Sequence, residues 1–240
     1  MAVTTGKLFM IPVTLGSETT GHVIPKEAAD IAVGLRHFAV EDIKSARRFL
    51  RKLDREFPID ESVFFVVNKN TAYAELGKLM KTLREGHNVG VMSEAGCPGI
   101  ADPGGSIVAM AHEEEIQICP LVGPSSILLT LMGSGFNGQE FTFHGYLPRE
   151  RKERVKKLKD FEASARRTGA THLFMDTPFR NMHVLEDLLN ELGDDTYLCI
   201  ASDLTCRAEK IKTRRVADWR DHAYDLSKIP AMFAIGKPVK

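Results

Sequence analysis

Short apolar runs alternate with amphipathic stretches along most of the chain. Lys7-Leu8-Phe9-Met10-Ile11 reads as a first strand stopped at Pro12, and Pro25 to Leu35 as an amphipathic helix with proline in its first turn. His37-Phe38-Ala39-Val40 is a second strand. It ends in the acids Glu41-Asp42 before a basic helix from Lys44 to Lys52. Acids at a helix start suit its dipole, so this pair fits a plain cap as well as a functional role. Ser62 to Val67 is a third strand, and Ala72 to Glu85 a helix ended by Gly86. Val89-Gly90-Val91-Met92 reads as a short buried strand, Ile107 to Ala111 opens a helix, and Ile116 to Leu121 is a fifth strand. This regular alternation predicts a largely parallel sheet.

The pattern changes near residue 120. A short apolar helix, Ile127 to Met132, is followed by strands at Phe141–Gly145, His172–Asp176, Tyr197–Ala201 and Ala231–Ile235. Helices are expected at about 151–167 and 181–192. The fold class is therefore α/β, with two α/β domains at residues 1–120 and 121–240, a mostly parallel sheet and then a mixed one.

Composition narrows the function classes. The chain has 240 residues, 43% hydrophobic and 27% charged, in the range of a soluble globular protein. Its apolar runs are too short to span a bilayer, and no signal-peptide pattern opens it, so no membrane association is expected. Four cysteines without CxxC spacing fit a reducing cytoplasm. Histidines lack metal-ligand spacing, so no metal site is expected. Net charge is zero, so a polyanion must be met by a local patch. Three basic clusters offer one: Arg47/Arg48/Arg51/Lys52, the run from Arg149 to Lys159, and Arg207/Lys210/Lys212/Arg214/Arg215. The second is the densest, and phosphate binding is expected there.

The stretch Ser93 to Gly105 is where chemistry concentrates. Four glycines, two prolines and two carboxylates lie between a strand and a helix start. That is how α/β proteins build ligand sites at the carboxyl ends of their strands. A second such turn is Leu121-Val122-Gly123-Pro124-Ser125-Ser126. Neither GxGxxG nor a Walker lysine is present.

Several of these pieces together resemble one family. Glu94 to Gly104 resembles the DAGTPGISDPG signature of the tetrapyrrole-methylase superfamily in its ribosomal-RNA branch. In the family's order, Lys7 to Gly16 resembles the opening strand and its TPIGN loop, and Val40-Glu41-Asp42 resembles AAEDTR. Leu121 to Ser126 resembles LPGPSA, His144 to Arg149 resembles FxGFLPRK, Asp176 to Arg180 resembles EAPHR, and Asp203-Leu204-Thr205 resembles RELTK. The resemblance runs from about Gly6 to Gly236. The opening loop, Val66-Val67-Asn68-Lys69-Asn70 and Phe179 depart from the family's pattern, on loops expected to face the acceptor.

The resemblance implies an S-adenosyl-L-methionine-dependent 2′-O-methyltransferase acting on a ribose of small-subunit ribosomal RNA. It also implies a cofactor cleft between two α/β domains and a homodimer. The implied cofactor residues are Pro12 and Leu15, then Glu94, Ala95, Pro98 and Ile100, then Gly123, Pro124, Ser125 and Ser126. Met175 and Met232 would supply the adenine side. A ribose hydroxyl needs a group to take its proton or stabilise its alkoxide; the candidates are Asp42 and Asn70 first, then Glu41 and Lys69. Phosphates would be met by Arg149, Arg151, Lys152 and Arg180. Two other readings remain open: a methyltransferase of the same superfamily with another acceptor, and a non-enzymatic cofactor-binding module.

Overall fold

The computed structural model describes residues 5–68, 70–71 and 73–239. Two compact units divide between Ser125 and Ser126, five residues beyond the boundary expected from the sequence. The shift has a cause. Leu121 N–H bonds the Met10 carbonyl at 3.0 Å, which keeps the end of the fifth strand and its turn with the first unit.

The first unit runs β1 (Leu8–Met10), α1 (Lys26–Gly34), β2 (His37–Val40), α2 (Ile43–Leu53), β3 (Val63–Val66), α3 (Tyr73–Arg84), β4 (Val89–Met92), α4 (Gly104–Glu113) and β5 (Ile118–Pro120). The strands form one sheet, ordered β3-β2-β4-β1-β5, and every pairing is parallel. Parallel strands covered on both faces are apolar throughout, and β4 is buried at all its residues. One face meets α1 and α2 through Ala28, Ala32, Phe49 and Leu50. The other meets α3 and α4 through Leu79, Met80, Leu83, Ile107 and Met110. The chain leaves β2 for α2 and leaves the adjacent β4 for α4, so two neighbouring strands send their connections to opposite faces. A crevice opens at their carboxyl ends, as in any doubly wound sheet.

Two helix starts differ from expectation. Helix α4 begins at Gly104, three residues before Ile107, because the Asp102 carboxylate accepts the Gly104 N–H at 2.7 Å and supplies the missing partner. Helix α2 is capped by Asp42, whose Oδ1 accepts the Ser45 N–H at 2.7 Å. Ala46, Phe49 and Leu50 turn inward and the cations turn out.

The second unit runs α5 (Ser126–Ser134), β6 (Phe141–Tyr146), α6 (Arg151–Thr168), β7 (Thr171–Met175), α7 (Asn181–Glu191), β8 (Tyr197–Ser202), β9 (Lys210–Arg215), α8 (Val216–His222) and β10 (Ala231–Gly236). Its sheet is ordered β6-β7-β10-β8-β9, mixed as expected: β6 and β7 are parallel, and the remaining pairs antiparallel. Phe174, Phe233, Leu158, Leu188 and Trp219 fill the core, with the Trp219 Nε1–H donated to the Leu198 carbonyl at 2.9 Å. Four cations of the third basic cluster lie on strand β9, and Arg207 stands just before it. No strand was expected there, because an edge strand hides little. Ile211, half-buried, is its apolar anchor against Gly133, and lysine on an edge opposes pairing with other chains. Among the described residues no helix is long and apolar enough to cross a membrane.

Candidate functional site

Three loops of the first unit converge at the carboxyl ends of β1, β4 and β5. Val13 N–H bonds the Gly96 carbonyl at 2.9 Å, which joins the opening loop to the central one. The Leu15 side chain closes on Gly96, and the Cys97 thiol bonds the Pro124 carbonyl at 3.4 Å. Gly123 lies directly on Pro12: a Cβ there would fall 2.1 Å from the proline Cβ, so only glycine allows this approach. Of the expected cofactor residues, Pro12, Leu15, Gly123 and Pro124 are thus gathered around the Gly96–Cys97 turn. Pro12, Pro98 and Pro124 are buried, whereas Glu94, Ala95 and Ile100 are exposed on the central loop. Ser125 is half-buried at the end of the unit.

Asp102 gives the central loop its shape. Its carboxylate accepts the Gly99 N–H at 2.8 Å as well as the Gly104 N–H, drawing the loop onto the start of α4. Between these anchors Ala101 takes φ of 63°, a left-handed conformation that costs a residue with a Cβ of order 1 kcal/mol. A cavity of about 750 Å³ opens beside it, lined by Glu41, Asn68, Thr71, Leu76, Ala101, Asp102, Pro103 and Ser106. These residues come from the loops after β2, β3 and β4, from α3 through Leu76 and from the start of α4, around the crevice that the sheet order dictates.

Two carboxylates line this cavity, Glu41 and Asp102, and that of Asp102 is taken up by the Gly99 and Gly104 N–H groups. Burial pushes the Glu41 carboxyl up from the ordinary range, and the charges of Asp102 and Glu94 push the same way, against a hydrogen bond from the Glu94 N–H. Asp42, expected as the stronger candidate, is exposed and occupied in capping α2. Its bonds from Ser45 hold its carboxyl low. Asn70 is exposed, and its N–H closes a turn on Asn68 Oδ1 at 2.9 Å. Asn68, not Asn70, lines the cavity. Lys69 lies outside the described residues. Asn68, Thr71, Asp102 and Ser106 were missing from the sequence-based set; the signal for Asp102 was an acid just ahead of Pro-Gly-Gly at a helix start.

In the second unit Ser126 opens α5 and its carbonyl accepts the Thr130 hydroxyl at 2.7 Å. Met175 and Met232 are direct cross-strand partners on β7 and β10, so those two expected contacts are neighbours. Three cations of the basic run are spent within the unit, and Arg149, Lys152, Lys156 and Lys157 stay exposed. Arg154, buried, and Arg151 share the Asp187 carboxylate at 2.7 and 2.8 Å, and Arg151 and Lys159 share Glu191. Arg180 pairs with buried Asp176 at 2.5 Å and donates to the Leu147 carbonyl. Arg151 and Arg180 therefore hold the fold together, leaving Arg149 and Lys152 of the expected phosphate contacts in solvent.

A family model described as tetrapyrrole (corrin/porphyrin) methylases matches residues 27–219. A protein of Escherichia coli O157:H7 named ribosomal RNA small subunit methyltransferase I is 30% identical over 206 residues, 86% of this chain and 68% of that protein. A Vibrio cholerae protein of the same name is 29% identical over 211 residues, 88% of this chain and 69% of its own length. Among solved structures, a cobalt precorrin-4 methyltransferase of cobalamin biosynthesis has a TM-score of 0.62 at 17% identity, covering 96% of this chain and 94% of that one. The uroporphyrin-III-C-methyltransferase of Thermus thermophilus has a TM-score of 0.57, also at 17% identity, covering 98% and 93%. These structural likenesses speak to the fold.

Proposed function

Because the chain belongs to the tetrapyrrole (corrin/porphyrin) methylase family, we propose that it is an S-adenosyl-L-methionine-dependent methyltransferase acting on a ribose 2′-hydroxyl of small-subunit ribosomal RNA. The observation that carries this reading is its likeness, over most of its length, to relatives named for methylation of that RNA.

The residues of the first unit fit the cofactor. The Pro12–Gly123 approach draws the opening loop and the Gly-Pro-Ser turn together, which a bulkier residue at 123 would part, and exposed Glu94 offers the carboxylate that a sulfonium calls for. Pro12, Leu15, Glu94, Ala95, Pro98, Ile100, Gly123, Pro124 and Ser125 would hold it there, and Ser126, Met175 and Met232 are proposed as contacts from the second unit. Bound, S-adenosylmethionine supplies a methyl group already activated as a sulfonium. The protein's remaining task is to hold the ribose hydroxyl and take its proton. We assign the proton to Glu41, supported by its place on the cavity wall and by the burial that makes its carboxylate more basic. Asp102 anchors the loop beside it. A homodimer working in the cytoplasm belongs to the same reading; exposed Leu128 and Met132, one turn apart on α5, are apolar surface that a second copy would cover.

The test is transfer of tritium from labelled cofactor to undermethylated small subunits, with nuclease mapping of the labelled nucleotide. Label at one ribose 2′-oxygen is expected. Cofactor binding with label in a protein or a small molecule, and none in RNA, would overturn the acceptor.

A further inference from the structure

Among the described residues the charges on α2 have no ion-pair partner. Lys44, Arg47, Arg48, Arg51 and Lys52 are exposed along an 11-residue helix that contains no carboxylate. Lys44 lends its charge to the cap Asp42, behind the hydrogen bonds from Ser45. Lys44 and Arg48, Arg47 and Arg51, and Arg48 and Lys52 stand four residues apart, where like charges face and repel each other. The chain holds 32 acids for its 32 bases, so acids to separate these cations were available. Helix α6 differs: it carries carboxylates of its own, and its Arg151 and Arg154 are matched by Asp187 and Glu191 of α7.

The place of α2 matters as much as its charge. The helix starts at Asp42, one residue past Glu41 on the cavity wall, and Ser45 in its first turn bonds Glu94 of the central loop. From there it carries cations away from the crevice for about 16 Å, at about 1.5 Å per residue. Several of those side chains are already held: Arg47 stacks over the Phe64 ring at 5.4 Å, and Lys52 donates to the Ser17 carbonyl at 3.1 Å. Cations fixed in advance lose less freedom when an anion arrives.

We propose that the outward face of α2 binds the phosphate backbone of the RNA substrate and leads it to the Glu41 crevice. This rests on the RNA methyltransferase reading above. A row of cations without interleaved aromatic stacking platforms or amide side chains reads charge rather than bases, so the contact is independent of sequence and sets register on the substrate.

The experiment is filter binding of undermethylated small-subunit RNA over a salt series, with the full chain as wild type, as Lys44→Gln/Arg48→Gln, and as the rival α6 pair Lys152→Gln/Lys156→Gln. The α2 pair should weaken binding by about tenfold at low salt and lower the slope of log affinity against log salt by about 1.5, close to 0.7–0.9 per lost phosphate contact. Binding of S-adenosylhomocysteine by calorimetry should not change, and the charge-keeping Lys44→Arg/Arg48→Lys variant should keep RNA affinity. If wild type binds RNA and the α2 pair binds it equally well, or the α6 pair loses as much, the surface assignment fails alone. Wild type that neither binds nor methylates RNA removes the proposed acceptor as well.

Discussion

Acid should loosen the second unit through one pair of histidines. His144 on β6 and His172 on β7 face each other with Nε2 and Nδ1 2.9 Å apart, and His144 stacks on Phe161 of α6 at 3.9 Å between ring centres. Burial, then the charge of His172, then that of Lys157, hold His144 down at about 4. Burial also lowers His172, against the pull of Glu140. An unfolded histidine titrates near 6.5, so between those values the unfolded chain binds a proton that the folded one refuses. Stability from this group is therefore complete above about pH 6.5 and is lost as pH falls toward 4. The gap from 6.5 to about 4 sets a ceiling of about 3.4 kcal/mol below pH 4, and about 2 kcal/mol at pH 5. His144 is only half-buried, and solvent screening reduces the second figure to about 1 kcal/mol. The assay is urea unfolding at pH 7.5, 6.0 and 5.0, followed by Trp219 fluorescence to report on the second unit. His144→Gln keeps a partner for His172 without titrating there, and should flatten the dependence by about that 1 kcal/mol. Wild type and variant falling in parallel from pH 7.5 to 5.0 would refute the reasoning.

Other perturbations reach the first unit and the buried ion pair. Gly123→Ala drives a Cβ into Pro12, should cost about 1–3 kcal/mol by overpacking, and should weaken S-adenosylhomocysteine binding at least tenfold by calorimetry; unchanged affinity would detach these loops from the cofactor. Glu41→Gln should lower turnover by about 10²–10⁴ while cofactor binding persists, and should abolish the fall in rate on acidification that a base with a raised pKa imposes. Asp42→Ala should lower the thermal midpoint and spare turnover, since it removes a cap. Asp187→Ala strands the buried Arg154 guanidinium and should cost about 3–5 kcal/mol in urea; a loss under about 1 kcal/mol would mean that water replaces the carboxylate.

Period and punctuation made most of the elements readable. The apolar runs at Val89–Met92 and His37–Val40 are buried parallel strands, and such strands advertise themselves in any order. The Gly/Pro density from Ser93 to Gly105 likewise marked a shaped loop, because few other residues tolerate the φ values at Gly96 and Gly99. The cavity was hidden for a different reason. Glu41, Asn68 and Asp102 meet because β2 lies between β3 and β4, and that neighbourhood belongs to the strand order, which leaves no local trace. The same holds for α6. Its cations look free along the sequence, and only the packing of α7 brings Asp187 and Glu191 against them. Strand β9 was missed because Lys-Ile-Lys-Thr-Arg-Arg shows a single apolar residue, all that an outermost strand needs.

Strand β1 sits between β4 and β5, and this has a consequence during synthesis. Leu8 pairs with Val89 on one side and Ile118 on the other, so its second neighbour is made 110 residues after it. At about 5–20 residues per second, a nascent Leu-Phe-Met segment waits about 5–20 s before both of its partners exist. The loops after β1, β4 and β5 can meet only once that wait ends, so ligand competence is the last property the first unit acquires. A chain arrested before Ile118 would carry the opening loop and the Gly/Pro loop and yet have no cradle, with an apolar strand left for chaperones to cover.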